Sequence, residues 1–304
     1  MAGRTLVESW YDAHAEMEEH RLDEGRLEFE VTMRVIGSCI SSLKLEKVKI
    51  LDIGGGPGKY GKQSCLSNLI KCMPKEGFLL LWLTGSAAIA LAKQGHGVTL
   101  NDLSHRNLEV AKGNAEKASV RLDAIIHANA LAIPQCEPLQ ACQGSFDIVL
   151  CLGPLYHLLD PEERSTVIRN SILMAKPGGY VLLAYVTVYA HLRDMGRRDP
   201  SRLVKEWDFY ERYLNSGEYT RKVETESFHV YPADLEKELQ AFGGQARVER
   251  TVSCEGFLGF DGARGLAKLK DEELERWLDI IMRSAEDKET MNSADHLLVV
   301  LRKM

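Results

Sequence analysis

The chain contains a cluster of glycines directly after a short apolar segment, and this feature constrains its fold most. Residues 48–53, VKILDI, have the composition of a buried strand and run straight into GGGPG at residues 54–58. Glycine adopts positive φ at low cost and, because it lacks a Cβ, lets the backbone come close to a ligand. A strand that ends in such a loop is typical of nucleotide-binding α/β folds, although an isolated glycine cluster also occurs in ordinary tight turns.

Strand and helix patterns alternate along the rest of the chain. Alternation of this kind predicts a doubly wound α/β fold with a seven-stranded, mostly parallel, Rossmann-like sheet. The predicted strands span residues 48–53, 96–101, 122–127, 146–152, 180–188, 246–254 and 295–302, and the main helices span 104–117, 161–175, 232–242 and 271–284.

The chain of 304 residues is long enough for one domain with a full core. Apolar residues at Leu27, Val31 and Val35 predict a helix within about residues 5–40. We interpret residues 1–304 as a single domain. Its parts are a helical N-terminal cap (1–45), a cofactor-binding core (46–188), an inserted substrate lid (189–228) and the C-terminal part of the sheet (229–304).

Charge and composition exclude several classes of protein. The formal net charge is −6, so a general basic surface for nucleic acid is not expected. The N-terminus turns acidic where a signal peptide needs an apolar stretch, and the longest strongly apolar run, FLLLWL at 78–83, is too short to span a membrane. The seven cysteines show no CxxC spacing, so we predict neither disulfides nor a metal site. We expect a cytoplasmic protein with no nucleic-acid or membrane partner.

A carboxylate stands at the end of the next predicted strand. Asp102 closes the segment VTLND at residues 98–102. In nucleotide-binding α/β folds this position accepts hydrogen bonds from the two ribose hydroxyls, which a carboxylate suits because it is an acceptor at both oxygens. The alternative is a local role at the start of the following helix, next to Ser104.

A dinucleotide cofactor is not predicted for this site, because Lys59 stands where the G-x-G-x-x-G fingerprint needs its third glycine. The glycine loop instead resembles the first motif of class I S-adenosylmethionine-dependent methyltransferases. Later segments resemble further motifs of that family in the right order: Ala128–Ala130 after the third strand, FDIVLCLGPLYH at 146–157, Lys176–Gly179 before the fifth strand, and Asp295–Val300. The GPLYHL segment is similar to that of small-molecule methyltransferases.

The resemblance implies S-adenosylmethionine as cofactor, a small-molecule methyl acceptor, and a role for each matching position. Asp102 would take the ribose hydroxyls, Leu103 would pack on the adenine, and the backbone of Leu152 and Gly153 would face the methionine amine. Asn129 stands where the family more often has Asp. The positions assigned to the cofactor are Asp52, Gly54, Gly55, Gly56, Asp102, Leu103, Asn129, Ala130, Leu152 and Gly153.

Two aromatic residues, Tyr156 and His157, are the candidate catalytic residues, because the resemblance places them facing the reacting methyl. A methyl on a sulfonium is already activated, so the protein mainly supplies alignment and a dry site. His157 has the intrinsic pKa range of a base for the acceptor's proton, and the alternative for it is a structural hydrogen bond to the lid. Tyr156 is as compatible with a packing role as with acid–base chemistry.

An unusual insertion interrupts the core at about residues 61–86. Asp102 follows Gly54 by 48 positions, whereas the acidic residue usually comes about 20 residues after the glycine loop. Joining Lys59–Tyr60 to Ala87 would give a normal first helix directly after the loop. The segment is either a functional insertion or a retained intron in the gene, and the second interpretation is preferred. We expect its removal to tighten cofactor binding, because a helix N-terminus would then adjoin the loop.

The sequence therefore favours a methyltransferase that modifies O or N of a small molecule in biosynthesis, with secondary metabolism as the expected setting. The alternatives are a non-catalytic methyltransferase-like interaction protein, inactivated by the insertion, and a nicotinamide-dependent oxidoreductase on a similar sheet. The acceptor and the oligomeric state are not predicted. Aromatic lid residues suggest an apolar pocket or, equally, ordinary packing: Trp207, Tyr210, Tyr213 and Tyr219.

Overall fold

The computed structural model describes residues 26–56, 87–220, 226–266 and 268–304. Its centre is a seven-stranded sheet in the order β3-β2-β1-β4-β5-β9-β8. The strands are β1 (Lys49–Ile53), β2 (Gly97–Asp102), β3 (Ala124–His127), β4 (Phe146–Cys151), β5 (Ala175–Val186), β8 (Ala246–Ser253) and β9 (His296–Lys303), and a separate hairpin pairs β6 (Glu218–Tyr219) with β7 (Ser227–Phe228).

Strands β1 to β5 are mutually parallel, and β9 pairs antiparallel with both β5 and β8. The predicted doubly wound, mostly parallel sheet is thus confirmed. The carboxyl ends of β1, β2 and β4 lie side by side, because Ile53 pairs with Asn101 on one side and Cys151 on the other. In folds of this type ligands bind at that edge.

Helices cover both faces of the sheet. They are α1 (Arg26–Leu43), α2 (Ala87–Lys93), α3 (His105–Lys117), α4 (Glu137–Gln140), α5 (Pro161–Met174), α6 (Val188–Arg198), α7 (Ser201–Lys205), α8 (Trp207–Ser216), α9 (Pro232–Gln240), α10 (Gly259–Leu266), α11 (Asp271–Ser284) and α12 (Lys288–Met291). Two short 3₁₀ helices span Ala130–Gln135 and Pro154–His157.

The core follows from the alternation of side chains along each strand. Ile50 and Leu100 face one layer, which contains α1, α2, α3 and α11, and Leu51 and Val149 face the other, which contains α5 and α9. The predicted apolar positions of the N-terminal helix are buried in the first layer, so α1 packs on the sheet as part of its core. The predicted helical residues before Arg26 lie outside the described residues.

The start of β5 differs from the sequence prediction. Lys176–Gly179 was expected to be a turn before the fifth strand, but β5 begins at Ala175 and the segment is an irregularity within the strand, with Gly178 at φ +73°. The inserted segment 61–86 lies outside the described residues. Helix α2 begins at Ala87, where the sequence predicted the first helix to resume, and its first five residues are buried.

The proposed lid corresponds to α6, α7, α8 and the β6–β7 hairpin. Tyr210 and Tyr213 are fully buried in a small core of their own, so these two side chains serve packing within the lid. Trp207 is 48% exposed. The lid is attached to the sheet at Thr187, whose backbone N–H donates to the Asp295 carbonyl and whose hydroxyl donates to the Ala294 carbonyl.

Candidate functional site

The glycine loop is fastened to the end of β2. The N–H groups of Gly54 and Gly55 donate to the backbone oxygen of Asn101 at 2.8 and 3.1 Å, and the N–H of Gly56 donates to Oδ2 of Asp102 at 2.8 Å. The side chain of Asn101 also donates to the carbonyl of Ile126 in β3 and to that of Ala128 just after the strand. Asn101, which the sequence analysis did not single out, therefore holds the ends of three strands together.

Two of these glycines are required by close contacts. Gly54 has φ +67°, and a Cβ on it would lie 2.6 Å from Cγ of Pro154. A Cβ on Gly55 would lie 2.3 Å from a methyl of Leu100 and 2.6 Å from Oδ2 of Asp52. The loop from β1 thus packs directly against the turn that follows β4. This contact brings together the predicted cofactor segments around residues 54 and 153.

Asp52 and Asp102 form a pair of buried carboxyl groups beside the loop, with exposures of 2% and 7%. Burial raises the pKa of Asp52 to about 7, and the charge of Asp102 adds to the shift. Among the described residues, no hydrogen bond to the Asp52 carboxylate is present. A cationic group of a ligand would satisfy it, because a buried carboxylate is stabilised by a charged donor.

Asp102 is held in one orientation by its neighbours. Its Oδ1 accepts hydrogen bonds from the backbone N–H of Ser104 at 2.8 Å and from the Asn107 side chain at 3.2 Å. Burial raises its pKa, and the hydrogen bonds from Ser104, Gly56 and Asn107 oppose the shift. Each carboxylate oxygen has two lone-pair positions. Oδ1 uses both and Oδ2 uses one for Gly56, so one position on Oδ2 remains for a ribose hydroxyl. Ser104 also caps α3, as the alternative interpretation of the sequence suggested. The start of this helix and the orientation of the Asp102 carboxylate therefore stabilise each other.

The predicted adenine contacts lie at the neighbouring strand ends. Leu103 follows β2, and its carbonyl is 2.7 Å from Nε2 of His127 at the end of β3. Asn129 caps the 3₁₀ helix that begins at Ala130, accepting from the N–H of Leu131 at 2.9 Å. Its side-chain oxygen is therefore used locally, and the adenine contact stays a prediction. Asn170 of α5 donates to the carbonyl of Ala130 at 2.9 Å and fixes this segment.

The candidate catalytic residues follow β4. Leu152 and Gly153 lead into the 3₁₀ helix that contains Tyr156 and His157, whose rings are 4.6 Å apart between centroids. Both side chains are half-buried. The structure thus brings this turn next to the glycine loop, and the roles of the two side chains remain predictions.

Arg164 joins this turn to the lid, and the sequence analysis missed it. Its guanidinium donates to the carbonyls of Leu158 and Leu159 at 2.9 and 2.7 Å and lies 3.5 Å from the centre of the Phe228 ring in β7. It also lies 3.7 Å from the carboxylate of Glu238 in α9. Burial lowers the pKa of Arg164, and Glu238 opposes that shift. An arginine in a helix has no sequence signal that distinguishes this role from a surface position.

A histidine group lies where the lid meets the sheet. The hydroxyl of Tyr213 is 2.6 Å from Nδ1 of His229, and the hydroxyl of Ser227 is 3.1 Å from its Nε2. Burial, together with the nearby charges of His191, His296 and His157, lowers the pKa of His229 to about 3. His229 is therefore neutral and structural, and the other three histidines surround it.

Glu28, Glu255 and His296 form an ion triad on the same edge of the sheet. Within the described part of the chain, these residues place potential cation ligands within 4.8 Å of one another. Nδ1 of His296 already shares a hydrogen bond with Glu255 at 2.6 Å and lies 3.6 Å from Glu28. We therefore interpret the group as an imidazole held by two carboxylates.

None of the described helices is long and apolar enough to cross a membrane.

Comparison with known proteins supports the family resemblance for part of the chain. Residues 83–179 match the family model described as a methyltransferase domain. The matched segment, together with the solved structures below, supports a class I S-adenosylmethionine-dependent methyltransferase domain. This confirms the resemblance seen in the sequence and identifies S-adenosylmethionine as the cofactor of this domain. The match gives no support to the oxidoreductase alternative.

Curated relatives and solved structures agree with this assignment. The ubiquinone biosynthesis O-methyltransferase of Ralstonia nicotianae is 36% identical over 103 residues, which is 34% of this chain and 39% of the relative. The protein of the same description from Bordetella avium is 25% identical over 180 residues, 59% of this chain and 56% of the relative. The chain thus spans well under two thirds of the length of these relatives.

Among solved structures, the magnesium protoporphyrin IX methyltransferase of Synechocystis PCC 6803, with bound SAH, has a TM-score of 0.54 at 14% identity, covering 99% of this chain and 100% of that one. An S-adenosylmethionine-dependent methyltransferase of Methanosarcina mazei has a TM-score of 0.52 at 18% identity, covering 87% and 96%. At such identities these likenesses show the shared fold.

Proposed function

We propose that this protein transfers a methyl group from S-adenosylmethionine to an oxygen or nitrogen atom of a small molecule. The observation that carries the proposal is the pair of buried carboxyl groups, Asp52 and Asp102, beside a glycine loop with no room for a Cβ at Gly54 or Gly55. When bound, S-adenosylmethionine supplies a methyl group activated by a sulfonium. The two carboxyl groups fit its cationic and hydroxyl groups.

The proposed site divides between cofactor and acceptor. Asp102 receives the ribose hydroxyls, Leu103, Asn129 and Ala130 line the adenine, and Asp52 faces the methionine part. The turn after β4 presents Tyr156 and His157 to the acceptor. The chain's own contribution is alignment and exclusion of water by the lid, because the methyl group needs no further activation.

An oxygen acceptor is the more favoured case, because the curated relatives that match are described as O-methyltransferases of ubiquinone biosynthesis. We propose a small molecule of a biosynthetic pathway, with no nucleic-acid or membrane partner. An untargeted screen for methylated products in cell extract, with isotope-labelled S-adenosylmethionine, would identify the acceptor.

A non-catalytic protein of the same fold is the competing proposal. It is favoured by the unusual insertion at about residues 61–86, which follows the glycine loop, and by a family match that begins at residue 83. Failure of the purified chain to bind the cofactor would support it.

Calorimetry with S-adenosylmethionine, its demethylated product and NAD tests the proposal. We expect the first two to bind and NAD not to bind. Asp102→Ala should weaken binding by about 1.5–3 kcal/mol, because charge-assisted hydrogen bonds are lost from a buried site. Asp123→Ala, a change at the amino-terminal end of β3, is the matched control and should bind like wild type. Unchanged affinity in Asp102→Ala would remove Asp102 from the cofactor site.

A further inference from the structure

A buried carboxylate and a histidine meet at the edge of the sheet beneath the lid. Oε1 of Glu255 lies 2.6 Å from Nδ1 of His296. The other carboxylate oxygen accepts the backbone N–H groups of Asp295 and His296 at 3.1 and 3.0 Å. The Glu255 side chain is 1% exposed. Because both oxygens are engaged, the carboxylate holds the imidazole in one orientation.

The second ring nitrogen of His296 points away from this contact. In an imidazole, Nε2 lies on the side of the ring opposite Nδ1's hydrogen bond, so it faces away from Glu255. Among the residues that the structure describes, Nε2 of His296 has no hydrogen-bond partner, and the side chain is 19% exposed. A fixed histidine with one nitrogen on a buried carboxylate and the other open is the arrangement that general bases share.

His296 lies at the edge where the acceptor is expected. It is the first residue of β9 and pairs with Val186, the last residue of β5. In the sheet, β5 is the second strand from β1. Arg193 of the lid helix α6 pairs with the carboxylate of the preceding residue, Asp295. The charges of His157 and His296 both act on His229, so the three residues belong to the same part of the molecule.

We propose that His296, oriented by Glu255, accepts the proton of the methyl acceptor, while His157 positions the acceptor. The inference rests on the proposed function and narrows it to acceptors that carry O–H or N–H at the methylated atom. The proton passes to Nε2 as the acceptor atom bonds to the methyl carbon, the carbon–sulfur bond breaks, and its electron pair stays on sulfur. Glu255 stabilises the imidazolium, which then releases the proton to solvent.

The charges around the ring determine the pH dependence of this step. Burial lowers the pKa of His296, but Glu28, Glu255 and Asp295 outweigh burial and raise the pKa to about 9. Glu28 faces the ring from α1, Glu255 from the loop after β8, and Asp295 precedes it in the chain. The neutral, proton-accepting form therefore increases with pH, and the rate should rise up to about pH 9.

Variants at the two histidines separate the roles. With the acceptor found by the extract screen, His296→Gln should lower the maximal rate by about 10²–10⁴-fold with cofactor affinity unchanged. Glu255→Gln should move the limb of the pH–rate profile to lower pH, and His157→Gln should keep that limb. His96→Gln, before β2 at the opposite edge, is the matched control. A normal rate in His296→Gln, or loss of the limb in His157→Gln instead, would overturn the assignment.

A second measurement needs neither an acceptor nor a folded His296 variant. Titration of the isotope-labelled histidine rings by NMR in the wild-type protein should show one ring with a pKa well above the usual range, which returns towards that range in Glu255→Gln. A wild-type protein in which no ring titrates above the usual range would contradict the inference. Failure of the wild-type protein to bind S-adenosylmethionine would instead reject the proposed function, independently of the titration.

Discussion

Gly54 combines a positive φ with direct contact to the turn after β4. A larger side chain would therefore strain the backbone and push Pro154 away at the same time. We expect Gly54→Val to abolish cofactor binding while most of the fold is retained, as measured by calorimetry and circular dichroism. Gly113→Val is the control, because a Cβ at Gly113 meets nothing within 4 Å. Retained binding in Gly54→Val would remove the glycine loop from the site.

Asp52 should make cofactor binding depend on pH. Its pKa is raised to about 7 by burial and by Asp102, so the carboxyl group is largely neutral at pH 6 and ionised at pH 8. A cationic ligand group favours the ionised form, so affinity should increase as the pH rises through 7. Calorimetry at pH 6 and 8 should show up to tenfold tighter binding at pH 8, and Asp52→Asn should flatten the dependence. Equal affinities in the wild type would contradict this role.

At the scale of elements, Arg164 connects three parts of the molecule that are distant in sequence. It lies in α5, contacts the carbonyls after His157, and packs on Phe228 of the lid hairpin. These contacts explain how the lid keeps a fixed position relative to the turn that carries the candidate catalytic residues.

Replacing this arginine should loosen both segments together. In Arg164→Gln we expect faster amide exchange in residues 157–160 and 226–230 and a loss of about 2–4 kcal/mol of unfolding free energy, because two half-buried carbonyls and Glu238 lose their partner. Arg169→Gln on the same helix is the control, since its side chain is 47% exposed and its ion pair with Glu162 is long at 3.8 Å. Unchanged exchange in both segments would show that Arg164 does not link them.

At the scale of the whole molecule, the ion triad joins α1, the loop after β8 and the start of β9. His296 has a folded-state pKa of about 9, above its value of 6.5 in the unfolded chain. The stability that it contributes is therefore fully present below pH 6.5 and is lost as the pH rises through 9.

The test compares the wild type with Glu255→Gln. At pH 6 the variant should be less stable by about 2–3 kcal/mol in urea denaturation, and the difference should shrink by pH 10. The quantity that matters is the difference in unfolding free energy between the two proteins at each pH. Buried Glu30, whose pKa is raised to about 8 by burial, also destabilises the fold as the pH rises, but it does so equally in both proteins. A difference that does not change with pH would show that the triad carries no proton-linked stability.

The sequence by itself determined the succession of strands and helices along the chain, and it predicted which edge of the sheet holds the cofactor. Alternating apolar segments fix which residues are buried, and the glycine loop and Asp102 are local features, so both could be predicted without coordinates. The same holds for the start of α2 at Ala87.

Only the tertiary structure decided which distant residues meet. Glu28, Glu255 and His296 come from three separate segments, and Arg164 reaches carbonyls and an aromatic ring that its own helix does not contain. The N-terminal helix became part of the core because its apolar stripe is buried against one face of the sheet. Such pairings depend on the order of strands in the sheet and on helix packing. Periodicity along the chain does not encode either of them, because contacts between remote segments form only when the whole fold buries its apolar surface.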